Sequence, residues 1–246
     1  MPTGRVPGPL GLTETSGRVI KSAGPLRSGA SAAASRLTYE EFRAKVLEAA
    51  ILDRFRKGRR RFPDLAAGDL SVIEKGKVMR QGAAANCIRL LAAARRDLAT
   101  EQMGPPVGLA AQQHQNAARN VVSIGIGSAY RSHEEETRIW KFQCFPTYYK
   151  DTGSARETLV GGAHGNAAVA YLVDYFSGRK APPGFSNHSD GRAVDFITTE
   201  GGKDYGPHGY QRKAWARTWL HLWLVQHAME YRFHPLATEE WHWDYH

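Results

Sequence analysis

The chain has 246 residues, of which 42% are hydrophobic and 23% are charged. These values are typical of a globular protein, and the length favours a single catalytic domain. No apolar run approaches the ~20 residues that span a bilayer, and the first residues lack the layout of a cleavable signal peptide. The formal net charge of +9 favours anionic partners, such as nucleic acid or an anionic cell envelope.

The first 36 residues differ in composition from the rest of the chain. They are rich in Gly, Pro, Ser and Ala and carry five basic residues against one acidic residue, which predicts a disordered basic tail at 1–36. Order is expected to begin at Thr38, because Thr38 and Glu41 form a capping-box pattern before a helical repeat of apolar residues. Residues 37–246 are then predicted to form a single domain, with a helical extension at 37–76 and a core at 77–246.

Six basic residues lie between positions 54 and 61, at the end of this first predicted helix. Cations suit the negative end of a helix dipole, and Gly58 can terminate the helix there. The cluster could contact nucleic acid, but no nucleic-acid-binding motif surrounds it. A solvated helix end is therefore favoured over a nucleic-acid site, and no nucleic-acid partner is expected.

The remaining elements alternate between helix and strand without a regular βαβ repeat. In chain order we predict a helix at about 77–99, a connection at 101–120, a buried strand at 121–126, a helix from 134, a short helix at 167–176, a turn at 182–184, a strand at 193–197, a helix at about 211–230 and a final strand. This order predicts an α+β fold, in which a small antiparallel sheet is flanked by helices.

The two cysteines, Cys87 and Cys144, have no CxxC spacing, so neither a thiolate metal site nor a redox motif is indicated. Two separate buried thiols are favoured over a disulfide.

The first chemistry-bearing segment is SNHSDGRAVDF at 186–196. His188 and Asp195 offer a nitrogen and an oxygen ligand that zinc accepts. On the predicted strand, Val194 and Phe196 would face the core while Asp195 points to the opposite side. Taken alone, a histidine and an aspartate seven residues apart would favour a polar turn followed by a half-buried strand.

The second segment is EEWHW at 239–243. His242 would complete a set of three protein ligands with a fourth position left for water, which is the arrangement of catalytic zinc. Glu239 is the candidate general base. It lies three residues before His242, so the chain must bend between them if both side chains are to reach one site.

Together these segments resemble the D-alanyl-D-alanine carboxypeptidase and dipeptidase family of zinc peptidases, which includes several phage endolysins. The family pattern Ser-x-His-x-x-Gly-x-Ala-x-Asp is matched from Ser186 to Asp195, and its Glu-x-Trp-His is matched from Glu239 to His242. An upstream Ser-x-Tyr-Arg-Ser is matched at 128–132. The likeness covers roughly 77–246, and Glu240 stands where the family often has proline.

The resemblance implies roles for the matched residues. His188, Asp195 and His242 would hold one Zn²⁺ per chain, Glu239 would be the general base with Glu240 as the fallback, and Arg131 would bind the substrate carbonyl or stabilise the oxyanion. The neighbouring candidates for substrate contact are Ser186, Ser128 and Tyr130, together with His164 in its glycine-rich loop.

The expected function is therefore removal of a terminal D-alanine from a peptidoglycan stem peptide. Cleavage inside the stem or cross-bridge remains open, as in a phage lysin or a secreted antibacterial toxin. A non-catalytic zinc-containing module that binds the cell wall also remains open, although a structural site needs no base. The expected place of action is the periplasm or cell wall, reached by a route without a cleavable signal peptide, with the positive charge favouring contact with the anionic envelope.

The other aromatic and histidine residues call for no metal. Trp215, Trp219 and Trp223 recur every four residues on a predicted helix, a stripe that is more typical of a core than of a substrate platform.

Overall fold

The computed structural model describes residues 37–105, 109–207 and 212–246, and the tail predicted at 1–36 lies outside them. The helices are α1 (Tyr39–Arg56), α2 (Gln81–Met103), α3 (Leu109–Arg119), α4 (His133–Ile139), α5 (Phe145–Asp151), α6 (Gly153–Glu157), α7 (Asn166–Ser177), α8 (Arg212–Trp215) and α9 (Trp219–His227). The strands are β1 (Leu70–Glu74), β2 (Lys77–Arg80), β3 (Val121–Ser128), β4 (Ala193–Glu200), β5 (Lys203–Tyr205), β6 (Phe233–Leu236) and β7 (Glu239–Tyr245). None of the described helices is both long and apolar enough to cross a membrane.

The main sheet has five antiparallel strands. Its central order is β3-β4-β7-β6, and β5 pairs with β4 beyond a tight turn. A separate antiparallel hairpin is formed by β1 and β2. Helices and antiparallel strands occur together in one unit, so the α+β prediction with a small antiparallel sheet and an N-terminal helix is confirmed.

Helix α1 begins where the capping pattern placed it. The Thr38 hydroxyl accepts a hydrogen bond from the Glu41 amide, and the Glu41 carboxylate accepts one from the Thr38 amide. Gly58 follows the helix with a φ of +71°, a conformation that costs glycine little, and the chain turns there. Both predicted ends of this helix are confirmed.

Two hydrophobic cores hold the fold together. The first lies between one face of the sheet and helices α2 and α9, and it contains the stripe Trp215, Trp219 and Trp223, which confirms that these tryptophans are core residues. The second is built by α1, α5, α7 and the π-helical turn Trp140–Cys144, and Trp140 is buried in it. Cys87 lies in the first core and Cys144 beside the second; both thiols are free, as predicted.

Strand β4 links the first core to the opposite face of the sheet. Val194 and Phe196 are fully buried in the core, and Asp195 between them points to the other face. The alternation predicted for this strand is confirmed.

Three sequence-based boundaries are corrected. Lys77–Arg80 is a strand rather than the start of the second helix, because Gly76 makes a turn that pairs it with β1 and places Met79 in the core. Residues 109–119, predicted as a connection, form α3, where alanine and glutamine favour helix. The helix predicted at 211–230 is interrupted, since Thr218 starts α9 anew by capping it.

Candidate metal centre

Three side chains with metal-binding atoms converge on the face of the sheet opposite the first core. His188, Asp195 and His242 are 2%, 4% and 7% exposed, and one ligand atom from each lies within 4.8 Å of the other two. His242 Nδ1 lies 3.0 Å from Asp195 Oδ1 and 3.2 Å from His188 Nε2, and His188 Nε2 lies 3.3 Å from Asp195 Oδ2. Tetrahedral zinc with bonds of ~2.0–2.1 Å separates its ligand atoms by about 3.3 Å, so this donor set fits zinc.

The sheet itself places two of the three ligands. Asp195 on β4 and His242 on β7 are direct partners in the antiparallel ladder, so both side chains project from the same face. His188 comes from the turn that precedes β4. There the Gly191 amide donates to the His188 carbonyl, and Gly191 has a φ of +68°, which closes the turn before the strand.

The second nitrogen of each histidine faces a fixed acceptor. His188 Nδ1 lies 2.6 Å from the Ala129 carbonyl oxygen, and His242 Nε2 lies 3.0 Å from Asp244 Oδ1. An N–H that donates to such an acceptor leaves the other ring nitrogen aimed at the site, an arrangement common in metal centres. Sequence reasoning missed Asp244. Its signal was the spacing of two from His242, which puts both side chains on one face of a strand.

The electrostatics of the group favour metal ligation by two of its members. Burial opposes ionisation of Asp195, but the charges and hydrogen bonds of His188 and His242 outweigh it and lower the pKa of this carboxyl. Burial lowers the pKa of His188, which favours the neutral imidazole that a metal requires.

His242 behaves differently because carboxylates lie beside both of its nitrogens. Burial alone would lower its pKa, but the hydrogen bonds to Asp195 and Asp244 outweigh burial and raise the pKa of His242 to about 9. In the absence of a cation, therefore, this imidazole carries the positive charge that balances the buried carboxylates.

Glu239 reaches the same cavity through an irregularity in β7. Pro235 pairs with Trp243, whereas the next residue of β6, Leu236, pairs with Glu239. Strand β7 therefore has three extra residues, 240–242, relative to β6. Because three is an odd number, this bulge reverses the alternation of side chains between Glu239 and His242. The bend that the sequence required between Glu239 and His242 is present, and both residues line one cavity. The Glu239 carboxylate accepts no hydrogen bond from the described residues.

Arg131 lies beside Asp195 in the same cavity. Its Nη1 donates to the Ser128 hydroxyl at 3.0 Å and lies 3.6 Å from Asp195 Oδ2, while its Nε lies 3.5 Å from Glu136 Oε1. Among the described residues no acceptor takes a hydrogen bond from Nε. The guanidinium therefore lies between the carboxylates of Asp195 and Glu136, and it retains N–H donors for an oxygen of a bound molecule.

Glu136, which the sequence suggested only as part of a helix start, organises the loop that carries His188. Its carboxylate is 3% exposed and accepts hydrogen bonds from the Gly184 amide, the Ser186 hydroxyl and the Ser189 hydroxyl at 2.6–2.9 Å. These partners lie 48–53 residues away in the chain, so no local pattern could have indicated them.

The candidate substrate contacts separate into two groups. Ser128, Tyr130 and Ser186 all line the cavity. The Ser186 hydroxyl donates to Glu136 and accepts from the His188 amide, so it positions the metal-binding residue His188. The Tyr130 hydroxyl accepts from the Leu65 amide and lies 3.3 Å from an Asp64 carboxylate oxygen.

His164 does not lie with them. It stacks on Phe42 in the second core, its Nε2 lies 2.7 Å from the Tyr149 hydroxyl, and its Nδ1 lies 2.6 Å from the Leu37 carbonyl oxygen. The structure therefore does not bring His164 to the cavity. The glycines around it close the loop on itself, since a Cβ at Gly165 would lie only 2.8 Å from the backbone of Gly161.

The cavity has a volume of about 1110 Å³. One side is the sheet with the metal group, and another is formed by the ends of α1, α4, α5 and α7. Tyr148 lies in its wall, where burial raises the pKa of this phenol to about 12. Sites that enclose small molecules usually measure ~300–1000 Å³, so this cavity has room for more than a dipeptide.

Comparisons with known proteins identify the family of the chain. The profile of the VanY family, described as D-alanyl-D-alanine carboxypeptidase, matches residues 101–246. Curated proteins give no match. Among solved structures, VanYB in complex with D-alanine-D-alanine aligns at a TM-score of 0.44 and 17% identity, over 76% of this chain and 81% of that one. A mutant of the vancomycin resistance D,D-pentapeptidase VanY in complex with Zn(II) aligns at 0.42 and 19%, over 74% and 82%. The family profile spans more than half of the chain and includes every ligand of the centre, so the chain belongs to the VanY D-alanyl-D-alanine carboxypeptidase family.

Proposed function

We propose that this protein is a zinc-dependent carboxypeptidase that removes the terminal D-alanine from peptidoglycan stem peptides. The observation that carries the proposal is the shared cavity. It brings the His188, Asp195 and His242 group together with the Glu239 carboxylate, which has no partner among the described residues, and with the Arg131 guanidinium, in a chain of the VanY family. The site of action that follows from this substrate is the periplasm or cell wall.

His188, Asp195 and His242 would hold one zinc ion per chain, through Nε2, a carboxylate oxygen and Nδ1. When bound, zinc supplies Lewis acidity, which polarises a carbonyl and makes a water molecule more acidic. Burial of the three ligands and the hydrogen bonds to Ala129 and Asp244 keep these atoms in place before the ion arrives.

Glu239 acts as the general base. Its carboxylate faces the cavity without a hydrogen bond from the described residues, so an oxygen is available to accept a proton from the attacking water. The same carboxyl then delivers that proton to the nitrogen of the departing D-alanine. Removal of the proton acceptor should lower the rate far more than it lowers the affinity for zinc.

Arg131 stabilises the oxygen of the scissile carbonyl as negative charge develops on it. Ser128 and Asp195 hold Nη1, and Glu136 lies beside Nε, so the guanidinium is oriented before substrate binds. Donors that are fixed in advance stabilise a developing oxyanion without a cost for reorganisation, which is the reason to assign this role to Arg131.

The experiment is digestion of an N-acetylated pentapeptide ending in D-Ala-D-Ala, and of purified peptidoglycan, by zinc-loaded protein. We expect free D-alanine from both, detected with D-amino acid oxidase and by mass spectrometry. Glu239→Gln should lower kcat by about 10²–10⁴-fold. Glu240→Gln is the matched control and should retain most of the activity.

The products distinguish the remaining alternatives. New internal fragments without free D-alanine would replace the carboxypeptidase by an endopeptidase. No product from protein that has bound zinc stoichiometrically would overturn the enzymatic function and leave a cell-wall binding module. Full activity in Glu239→Gln with loss in Glu240→Gln would move the role of base to Glu240.

A further inference from the structure

One wall of the catalytic cavity is cationic, and nothing in the proposed reaction uses it. We define the cationic wall as Arg54, Arg59, Arg60, Arg179 and Lys180, all of which line the cavity that contains the metal group. We propose that this wall binds a carboxylate of the substrate peptide on the N-terminal side of the scissile bond, so that the enzyme selects acidic peptides. This inference rests on the proposed function and adds the substrate class to it.

The wall is formed where two helices end side by side. Arg54, in the last turn of α1, donates from Nη2 to the carbonyl oxygen of Ser177 at the end of α7. The Arg59 amide donates to the Arg54 carbonyl, which folds the following segment back towards that junction. Arg179 and Lys180 follow directly after α7. Cations from two separate stretches of sequence are thus brought to one side of the cavity.

The segment after α1 is fixed to the loops that carry the catalytic residues. The Phe62 amide donates to the Gly184 carbonyl at 2.8 Å, and the Phe62 carbonyl oxygen lies 2.6 Å from His133 Nε2. The Leu65 amide donates to the Tyr130 hydroxyl at 3.0 Å. Gly184 has a φ of +85°, and a Cβ there would lie only 2.7 Å from Arg61 Cγ. The wall therefore holds a set position relative to the catalytic loops.

No acidic side chain in the described residues compensates the charge of the wall. Within the described part of the chain, none of its five cations forms a salt bridge; the recorded hydrogen bonds of Arg54 and Arg179 go to neutral carbonyls. The acidic residues of the cavity have other partners or roles: Asp195, Glu239 and Asp244 belong to the metal centre, and Glu135 pairs with Arg138. A row of unpaired cations favours an anionic ligand.

Two considerations indicate a carboxylate upstream of the scissile bond. A carboxypeptidase releases a single residue, and D-alanine has no charged side chain, so the space for one alanine cannot account for a cavity of about 1110 Å³. The remaining volume has room for the part of the peptide that precedes the bond. Carboxylates are the anionic groups of an unmodified peptide, and the planar guanidinium of arginine binds them with two parallel hydrogen bonds.

Three cations of the wall come from outside the family match. Arg54, Arg59 and Arg60 precede residue 101, where the family profile begins. The sequence favoured a solvated helix end for these basic residues; Arg59 and Arg60 are indeed exposed, and together with Arg54 they line the catalytic cavity. The N-terminal extension would thus supply substrate preference to a site whose chemistry lies in the family core.

The test uses two N-acetylated pentapeptides that end in D-Ala-D-Ala and differ only by Glu or Gln at the second residue. We expect about tenfold higher kcat/KM for the Glu peptide, mostly through KM, because a hydrogen-bonded charge pair at a partly exposed site gives an effect of this order. The preference should shrink near about 1 M salt, where the Debye length is ~3 Å. Calorimetry on the metal-free protein should show the same preference in binding.

The double variant Arg59→Ala/Arg60→Ala should lose most of the preference while it cleaves the Gln peptide at the wild-type rate. Arg59→Lys/Arg60→Lys should retain part of it. Arg56→Ala is the matched control and should change nothing, since this exposed cation at the end of α1 does not line the catalytic cavity.

Equal cleavage and equal binding of both peptides by the wild-type protein would overturn the inference, as would a preference that survives in Arg59→Ala/Arg60→Ala. Tighter binding of the Glu peptide without cleavage of either would support the wall and overturn the proposed function. Neither cleavage nor selective binding would overturn both.

Discussion

Asp195 and His242 face each other on adjacent antiparallel strands, with His242 Nδ1 3.0 Å from Asp195 Oδ1. The same imidazole has Asp244 3.0 Å from its other nitrogen. A histidine between two carboxylates holds both of its protons, whereas a metal ligand must give one up. The pair is therefore also the place where metal and proton compete.

We expect zinc binding to release about one proton per site between pH 7 and 8. The pKa of Asp195 is lowered and that of His188 is lowered, so neither contributes a proton in this range. The pKa of His242 is raised to about 9, so its imidazole is charged below that pH and must lose a proton to bind zinc. The zinc affinity should therefore fall as pH drops below about 9. Calorimetry in buffers of different ionisation enthalpy measures the proton count, and a binding enthalpy that does not depend on the buffer would contradict this prediction.

Asp244→Asn should weaken zinc binding by about 10–100-fold without unfolding the protein. The reason is that Asp244 accepts the Nε2 proton of His242 and so directs Nδ1 towards the other ligands. Competition with a fluorescent chelator gives the affinity. The matched control is Asp204→Asn, which should bind zinc as the wild type does. Asp204 is exposed, and among the described residues its carboxylate accepts a hydrogen bond only from the Thr199 hydroxyl. An unchanged affinity in Asp244→Asn would remove this positioning role.

Glu136→Ala should lower the free energy of unfolding by about 3 kcal/mol, because it leaves buried donors at Gly184, Ser186 and Ser189 without their acceptor. Urea unfolding of the metal-free protein measures this loss. Glu135→Ala, one residue earlier on the same helix, removes only a surface pair with Arg138 and should cost less than about 1 kcal/mol. Similar losses in the two variants would show that the loop does not depend on Glu136.

Cys87 should resist alkylation in the folded protein at pH 8. Burial raises the pKa of this thiol to about 12, from 9.0, so the reactive thiolate is scarce. The pKa of Cys144 is also raised by burial, but this residue is half-buried and should react first. The pKa of Cys87 is higher in the folded protein than in the unfolded chain. The stabilisation from burying the neutral thiol is therefore complete below pH 9 and is lost as the pH rises towards 12. Mass spectrometry after iodoacetamide treatment, with and without denaturant, checks the order; rapid labelling of folded Cys87 would contradict it.

The metal group could be predicted from the sequence because the ligand chemistry of His188, Asp195 and His242 agrees with the motifs of the family that the chain resembles. Val194, Asp195 and Phe196 alternate as a strand must, and the spacing of Glu239 from His242 required a bend that the register of β6 and β7 shows. Local rules describe such features well, since each depends on a few neighbouring residues.

The parts that escaped prediction depend on contacts between distant residues. Glu136 shows its role only when residues 184–189 fold against α4. The basic residues at the end of α1 line the cavity because α7 lies beside them, and this long-range contact leaves no local sequence signal. The strand Lys77–Arg80 has only four residues, so its sequence pattern does not distinguish a strand from a helix. Its pairing with β1 decides its conformation.

The most direct test is the rate of D-alanine release as zinc is added stepwise to metal-free protein. We predict that the rate rises linearly to a sharp break at one equivalent of zinc per chain, and that Asp195→Ala, which removes a ligand, shows no activity at that point. Activity in the metal-free protein, a break at a different stoichiometry, or full activity of Asp195→Ala at one equivalent would contradict a catalytic zinc held by His188, Asp195 and His242.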